Sequence, residues 1–310
     1  MTDLNTRPRR LRRTALAATA AALVVGGLVA CATSPASAST PTSASVHSTT
    51  AKGASAAPGL HMISHNGHKI AFHVTAGHQP AIVLEAGGGN DSTYWKHLVP
   101  QLSKSTGSEI ITYDQAGMGR SESVSGPYSA RDAASDLAAG LKSLGITHDA
   151  VLVPHSEAGE VATYLLNDDP GLVAGAVLVD ASLPQFYTPE ETARVVAANA
   201  PGVAALEKQK KLTKADRQLI AMAANYGPAH TAYHQLSWPA DVPAIAIVSA
   251  STPFPTALDA ARWRDAQAEF VKAAPADRRL VTAAHSSHDI PLDRPALVID
   301  EVKQMLKDVR

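Results

Sequence analysis

The chain has 310 residues, of which 45% are apolar and 18% are charged, a composition typical of a folded protein rather than a disordered one. Its formal charge is −1, but residues 1–30 hold five arginines and one aspartate, so the rest carries 22 basic and 27 acidic side chains. This acidic balance argues against a phosphate-binding surface and excludes nucleic acid as an expected partner. A single cysteine, Cys31, excludes an intrachain disulfide and a thiolate metal cluster.

Residues 1–30 have the layout of an export signal. An arginine-rich start precedes an uncharged run over residues 14–31 that is rich in Ala, Val and Leu. The run ends in Leu28-Val29-Ala30-Cys31, which resembles the lipobox of bacterial lipoproteins. The resemblance implies cleavage before Cys31 and a lipid on its thiol, which would hold the exported protein on the extracytoplasmic side of the cell membrane. An uncleaved membrane anchor, and cleavage followed by release, are the alternatives.

Residues 31–58 form a second region of distinct composition. They are mainly Ser, Thr, Ala and Pro, with almost no charged or large apolar side chains. Such a segment buries too little surface to offset the entropy lost on ordering, so it is predicted to be a flexible tether. The folded domain is expected over residues 59–310.

Short strands alternate with helices in this domain. Strands are predicted at 70–75, 81–85, 110–114, 151–154, 175–180, 244–249 and 279–282, and helices near 129–144, 157–167, 257–273 and from 294. The strands are continuous apolar runs, typical of a parallel sheet that helices cover on both faces. We therefore expect an α/β fold with a mostly parallel, doubly wound sheet and a ligand site at the carboxyl ends of its strands.

One long stretch, between residues 180 and 242, contains no convincing strand. Only helical patterns occur there, near 189–198 and 213–226. The pattern predicts an inserted helical lid over about 183–240, and surplus helix packed elsewhere is the alternative.

The most informative motif joins a predicted strand to a predicted helix at Ser156. A sharp turn there would lift the serine hydroxyl above the sheet edge, beside the free amides of the helix N-terminus. Ala158 and Gly159 supply the small residues that such a turn needs, whereas Pro154 stands where glycine is usual. The alternative interpretation of Ser156 is a helix N-cap, a position that serine often fills.

Three other segments accompany this turn in chain order. They are Glu85-Ala86-Gly87-Gly88-Gly89, Asp114-Gln115-Ala116-Gly117-Met118-Gly119-Arg120-Ser121 and Ser287-His288-Asp289-Ile290-Pro291. Together the four segments resemble the α/β-hydrolase fold superfamily over about 60–310, with its glycine loop, its turn after the fourth strand, its nucleophile turn and its histidine loop. This resemblance implies a serine hydrolase.

The resemblance also implies roles for particular residues. Ser156 is the expected nucleophile, and His288 is the expected base that takes its proton. His285 is the competing histidine, but the Pro-Leu-Asp-Arg-Pro run directly after Ile290 favours His288. The backbone N–H groups of Gly88 and Glu157 are the expected donors to the oxyanion.

The acid of the expected triad has two candidates. Asp180 ends a predicted strand at the same sheet edge as Ser156, so it is the preferred acid that would orient His288. Asp259 is the alternative, because it is the first carboxylate after the strand at 244–249, the place where many relatives carry the acid.

The expected reaction is acyl transfer from a carboxylic ester, lactone or related small molecule through a Ser156 ester, and it needs no cofactor. The alternative is a non-catalytic, ligand-binding lipoprotein that keeps the fold, and Pro154 favours it. The histidines His61, His65 and His68 flank an Asn-Gly turn without a nearby carboxylate or thiol, so no metal site is expected. The sequence does not indicate an oligomeric state.

Overall fold

The computed structural model describes residues 56–309. Cys31, the export signal at 1–30 and nearly all of the tether at 31–58 lie outside the described residues. The lipid anchor and the route of export therefore stay predictions.

A single sheet organises the described chain. Within residues 56–309 it has eight strands in the order β1-β2-β4-β3-β5-β6-β7-β8. The first two strands pair as an antiparallel hairpin, β2 is antiparallel to β4, and all other neighbours are parallel. The prediction of a mostly parallel sheet is thus confirmed. The strands are β1 (Gly59–His65), β2 (His68–Thr75), β3 (His78–Glu85), β4 (Ser108–Asp114), β5 (Ala150–Pro154), β6 (Val173–Val179), β7 (Ala244–Ser249) and β8 (Arg278–Ala283).

Helices cover both faces of this sheet. They are α1 (Leu98–Thr106), α2 (Ala130–Ser143), α3 (Ala158–Asp168), α4 (Pro189–Glu207), α5 (Lys214–Ala224), α6 (Tyr226–Tyr233), α7 (Ala257–Lys272), α8 (Ile290–Asp293) and α9 (Pro295–Asp308). Because successive strand residues point to opposite faces, Leu152 packs toward α2 and α3, whereas Val151 and Val153 pack toward α1 and α9. Burial on both faces explains why the central strands are uninterrupted apolar runs.

The region between β6 and β7 is helical, as its sequence predicts. It contains α4, α5 and α6, and side chains from α4 and α6 pack on α7 through Val195, Tyr233 and Trp263. Helix α4 continues past Pro201 to Glu207, beyond the predicted end near residue 198, with the proline on an exposed side. No helix within residues 56–309 combines the length and apolar character that crossing a bilayer requires.

Strand β1 and helix α1 had no sequence prediction. Strand β1 is an edge strand whose residues are mostly exposed or half-buried, so it lacks the apolar run that marks the central strands. Helix α1 buries only Leu98 and Leu102. Its other residues are mostly polar, so its sequence resembles that of a loop. Neither element contributes to the sheet edge where the strands β5 and β6 end.

Candidate active site

Ser156 occupies the sharp turn between β5 and α3. Its backbone φ is 56°, in the left-handed region that non-glycine residues seldom adopt. Two close approaches hold the turn: a Cβ on Gly159 would lie 2.3 Å from the Ser182 carbonyl oxygen, and one on Gly87 would lie 2.7 Å from the Ser156 Cβ. The small residues of this turn are therefore required by packing. Pro154 is the last residue of β5, so the turn forms with proline in place of the usual glycine.

Three predicted side chains meet at this turn. His288 Nε2 lies 2.8 Å from Ser156 Oγ, and His288 Nδ1 lies 2.7 Å from Asp180 Oδ2. All three residues are buried, although they are separated by up to 132 positions in the chain. Like Ser156, Asp180 has a positive φ of 44° directly after its strand. A serine, an imidazole and a carboxylate thus form one continuous chain of hydrogen bonds.

The two competing candidates lie elsewhere. His285 is exposed, and the imidazole that hydrogen-bonds to Ser156 Oγ is that of His288. Asp259 lies in the first turn of α7, where its carboxylate accepts hydrogen bonds from Thr256 Oγ1 at 2.5 Å and from Arg194 Nε at 3.2 Å. Asp259 therefore stabilises the first turn of α7, and the carboxylate beside His288 is that of Asp180.

The Asp180 carboxylate is held in place by donors on both oxygens. Oδ1 accepts from the Ser249 backbone N–H at 3.1 Å and from Trp263 Nε1–H at 2.9 Å, and Oδ2 accepts from His288. Burial by itself raises the pKa of this carboxyl, but hydrogen bonds from His288, Ser249 and Trp263 outweigh burial and lower the pKa below its usual value. Asp180 is therefore an ionised acceptor, and His288 Nδ1 carries the proton. Nothing in the sequence singled out Trp263.

His155 anchors the backbone of the histidine loop. Its Nε2–H donates to the His288 carbonyl oxygen at 3.1 Å, and the same nitrogen lies 3.3 Å from the Tyr94 hydroxyl. That hydroxyl donates to Asp289 Oδ1 at 3.2 Å. Burial and the proximity of His288 lower the pKa of His155 to about 3, so the ring is neutral. His155 and Tyr94 were not predicted, because their function depends on a contact between distant loops.

The two predicted oxyanion donors lie on either side of Ser156. Glu157 follows the serine at the start of α3, and Gly88 belongs to the glycine loop after β3, whose Gly87 packs against the Ser156 Cβ. Neither the Gly88 N–H nor the Glu157 N–H has an acceptor within residues 56–309. Two backbone N–H groups without an acceptor in the described chain thus belong to the segments that adjoin Ser156.

A relay of two glutamines links these donors to α5. The Gly89 N–H donates to Gln218 Oε1 at 2.6 Å, Gln218 Nε2–H donates to Gln115 Oε1 at 3.0 Å, and Gln115 Nε2–H donates to Glu157 Oε2 at 3.1 Å. No local sequence pattern indicates this relay. It ties the glycine loop and the residue after Ser156 to a helix of the inserted region.

Glu157 has a buried carboxyl group beneath the turn. Burial and the nearby Glu160 carboxylate raise its pKa to about 7, although hydrogen bonds from Tyr128 and Gln115 oppose the increase. At neutral pH this carboxyl is therefore partly protonated.

A cavity of about 280 Å³ opens from Ser156 under the inserted helices. Its walls combine apolar side chains of α4, α5 and α7 with a few polar groups. Apolar lining residues include Val196, Ala200, Val203, Leu219, Ile220, Met222, Phe254 and Trp263, and polar ones include Glu157, Glu160, Ser182, Tyr187, Asn199, Glu207, Tyr226 and His230. An apolar chain joined to a group at Ser156 fits this space.

The histidines near the first hairpin have separate partners. His61 Nε2 lies 2.6 Å from the Ala57 carbonyl oxygen, His65 Nε2 lies 2.9 Å from Ser135 Oγ, and His68 Nε2 lies 2.8 Å from Asp136 Oδ2. They do not converge on one point.

The fold and the serine-histidine-aspartate contacts place this chain in a known class of proteins. A family model described as alpha/beta hydrolase fold matches residues 80–241, and the chain belongs to that family. The family supports the predicted hydrolase class.

Individual relatives cover the chain only in part by sequence. The chain is 36% identical over 104 residues to "Putative carbamate hydrolase RutD" of Variovorax paradoxus, a match that covers 33% of this chain and 38% of that protein. It is 33% identical over 112 residues to "Probable transporter efuK" of Hormonema carpetanum, covering 35% of this chain and 16% of that protein. The chain therefore spans less than half the length of each.

Solved structures match over more of the chain. An esterase from Exiguobacterium antarcticum has a TM-score of 0.59 at 17% identity, covering 81% of this chain and 100% of its own. A thermophilic esterase from Thermogutta terrifontis has a TM-score of 0.55 at 20% identity, covering 81% and 97%. At these identities the structures confirm the fold.

Proposed function

We propose that the protein is a serine hydrolase that cleaves a carboxylic ester or lactone through an acyl-enzyme on Ser156. The observation that carries this proposal is the unbroken hydrogen-bond chain from Ser156 through His288 to Asp180. The positive φ of Ser156 supports it, because such a strained turn is typical of a nucleophile, and Ser156 lines the cavity.

In the proposed reaction, His288 acts as the base. As Ser156 Oγ attacks the substrate carbonyl carbon, its proton passes to His288 Nε2, and the ionised Asp180 stabilises the resulting imidazolium. The carbonyl oxygen becomes an oxyanion that the N–H groups of Gly88 and Glu157 stabilise, each by about 3–4 kcal/mol when the donors are well aimed. His288 then returns the proton to the leaving alkoxide. Water, deprotonated by the same imidazole, releases the acid and regenerates Ser156.

An ester or lactone is the proposed substrate class. The cavity that adjoins Ser156 is mainly apolar, which suits an alkyl or acyl chain. Structural neighbours of the chain are described as esterases, and a sequence relative is described as a putative carbamate hydrolase. Both descriptions refer to the hydrolysis of a substrate with a carbonyl group. Serine in the nucleophile position favours acyl chemistry over the aspartate-dependent opening of epoxides or cleavage of halides.

Labelling by a fluorophosphonate probe tests the proposed nucleophile. We expect stoichiometric labelling of the wild-type protein and none of Ser156→Ala, together with hydrolysis of short p-nitrophenyl esters by the wild type alone. A folded wild type that neither reacts with the probe nor cleaves the esters would instead indicate the non-catalytic binding protein.

We further propose that the mature protein is anchored to the membrane by a lipid on Cys31. The short apolar run before this cysteine supports the proposal. In the bacterial host, the wild type should partition into the detergent phase and Cys31→Ser into the aqueous phase. Equal partitioning of the two would contradict a lipid anchor.

A further inference from the structure

The Glu160 side chain also lines the cavity, one helical turn beyond Ser156. Glu160 lies on α3, about 6 Å further along the helix axis, and its side chain is 7% exposed. Its Oε1 lies 3.0 Å from His230 Nε2 and accepts from the Tyr187 hydroxyl at 3.3 Å. Its Oε2 has no hydrogen-bond partner within residues 56–309 but keeps accessible surface, and the residue lines the cavity. One oxygen of this carboxylate is thus fixed, and the other is available to a ligand.

His230 holds the carboxylate in a rigid frame. Its Nδ1 lies 2.7 Å from the Tyr226 carbonyl oxygen, which can only accept, so Nδ1 carries a proton. A further proton must lie between Nε2 and Glu160 Oε1 to satisfy their 3.0 Å contact. The imidazole ring is sandwiched between the rings of Tyr187 and Tyr226, whose centroids lie 4.0 and 3.8 Å away. Aromatic faces on both sides suit a cationic imidazolium paired with a carboxylate.

The charges around the cavity do not balance. Its lining includes the carboxyl groups of Glu157 and Glu160 inside and of Glu207 at an exposed position, against the single potential cation His230. No lysine or arginine is present among the lining residues in the described part of the chain. Because Glu160 offsets the His230 charge, the remaining charge of the lining comes from Glu207 and from the partly ionised Glu157, and it is negative in otherwise apolar walls. The complementary ligand is an apolar chain that ends in a cation with N–H donors.

From this arrangement we infer that the cavity contains a subsite for a primary ammonium group. Glu160 Oε2 accepts an N–H of the ammonium, while the apolar part of the ligand packs on residues such as Val203 and Leu219. The inference rests on the proposed hydrolase function, and it narrows the substrate class to esters or lactones whose chain carries an amine. His230 and the two flanking tyrosines position Glu160 and do not themselves contact the ammonium.

A competitive-inhibition experiment distinguishes the contributions of a ligand's charge, its N–H donors and its apolar chain. Hydrolysis of p-nitrophenyl acetate, which leaves most of the cavity empty, is measured at neutral pH with hexylammonium, 1-hexanol or hexyltrimethylammonium as inhibitor. We expect hexylammonium to inhibit the wild type at a concentration about tenfold lower than either of the others, because only it offers both charge and N–H donors. A tenfold difference corresponds to about 1.4 kcal/mol.

Two variants test whether the preference for hexylammonium depends on Glu160. Glu160→Gln keeps an oxygen that can accept from His230 but loses the carboxylate, so the inhibition constants of the three amphiphiles should converge. Glu190→Gln is the matched control, since it removes an exposed carboxylate of α4 that does not line the cavity, and the tenfold preference should persist. Equal inhibition of the wild type by 1-hexanol or by hexyltrimethylammonium would overturn the inference, as would a preference retained in Glu160→Gln.

Separate measurements can contradict the proposed catalytic function and the proposed ammonium subsite independently. Calorimetric titration of Ser156→Ala with the same three amphiphiles measures the subsite without turnover, and it should give the same order of affinity. Absence of ester cleavage and of fluorophosphonate labelling contradicts the hydrolase. Cleavage and labelling without amphiphile discrimination contradict only the ammonium subsite.

Discussion

The residues at the strand ends and those in the helical cavity wall have different functions in this protein. At the strand ends, Ser156 lies two residues after β5 and Asp180 directly after the adjacent parallel strand β6, and both adopt left-handed backbone conformations. The contacts of Ser156 and Asp180 with His288, at 2.8 and 2.7 Å respectively, depend on the register of the sheet. In the cavity wall, by contrast, Glu160 meets His230 across a gap between two helices. Rigid strands fix the reacting atoms, and packed helices decide what reaches them.

Replacing the acid at the strand ends should have the largest effect. Asp180→Asn keeps the shape of the side chain but removes the charge that stabilises the His288 imidazolium and fixes its tautomer. We expect kcat to fall by about 10⁴-fold, as for the corresponding change in a well-studied serine protease. The measurement is steady-state hydrolysis of p-nitrophenyl acetate.

Asp259→Asn is the matched control for this change. Its carboxylate accepts a hydrogen bond from the hydroxyl of Thr256, the N-cap of α7, and contacts Arg194, so the variant should lose about 1 kcal/mol of unfolding free energy and keep its activity within about twofold. A large activity loss in Asp259→Asn with a small one in Asp180→Asn would mean that Asp259, and not Asp180, is the acid of the triad.

The strand-end region was largely predictable from sequence. Parallel strands end at one edge of a sheet, so an apolar run that stops at Ser156 and another that stops at Asp180 predict two functional groups side by side. His288 could be assigned by its place in a longer segment rather than by its own chemistry. Choosing between Asp180 and Asp259 required the contacts, because both positions satisfy the same chain order.

The cavity wall was not predictable in the same way. Helical patterns indicate that the region between β6 and β7 is helical, but they do not say which polar side chains point inward. Gln218 and Glu160 are ordinary helix-forming residues, and their partners Gly89 and His230 lie 129 and 70 positions away. No local pattern encodes such contacts, since they arise only when the helices are packed on the sheet.

The relay through Gln218 is the point where the two regions meet. Gln218→Leu removes the acceptor of the Gly89 N–H and loosens the loop that carries Gly88. Because oxyanion donors act mainly in the transition state, we expect kcat/KM to fall by about 30- to 100-fold, with most of the loss in kcat. Kinetics on p-nitrophenyl butyrate provide the measurement.

A transition-state analogue distinguishes positioning from general damage to the fold. Affinity for an alkylboronic acid should fall in parallel with kcat/KM, whereas affinity for the matching unreactive amide should stay within about threefold. Gln209→Leu is the control, since that glutamine is exposed outside the cavity. If Gln218→Leu weakened both ligands equally, the oxyanion loop would not depend on α5.

The smallest expected effect concerns stability rather than rate. The folded pKa of Glu157 is about 7, against about 4.5 for an unburied glutamate, so the folded protein holds this proton more tightly than the unfolded chain. Below about pH 4.5 both states are protonated, and the carboxyl group makes no pH-dependent difference. As pH rises from about 4.5 through 7, only the unfolded chain ionises freely, and the wild type loses unfolding free energy.

Glu157→Gln removes this titration while keeping a side chain of the same shape. Because the glutamine resembles the protonated acid, the variant and the wild type should have similar unfolding free energies at pH 4. At pH 8 the variant should be the more stable by about 1 to 2 kcal/mol, measured by urea unfolding at both pH values. The difference between the two proteins cancels the titrating groups that do not interact with Glu157. A gap that stays constant from pH 4 to pH 8 would mean that Glu157 ionises as readily in the folded protein as in the unfolded chain, and that the relay from Gln115 stabilises a carboxylate rather than a partly protonated acid.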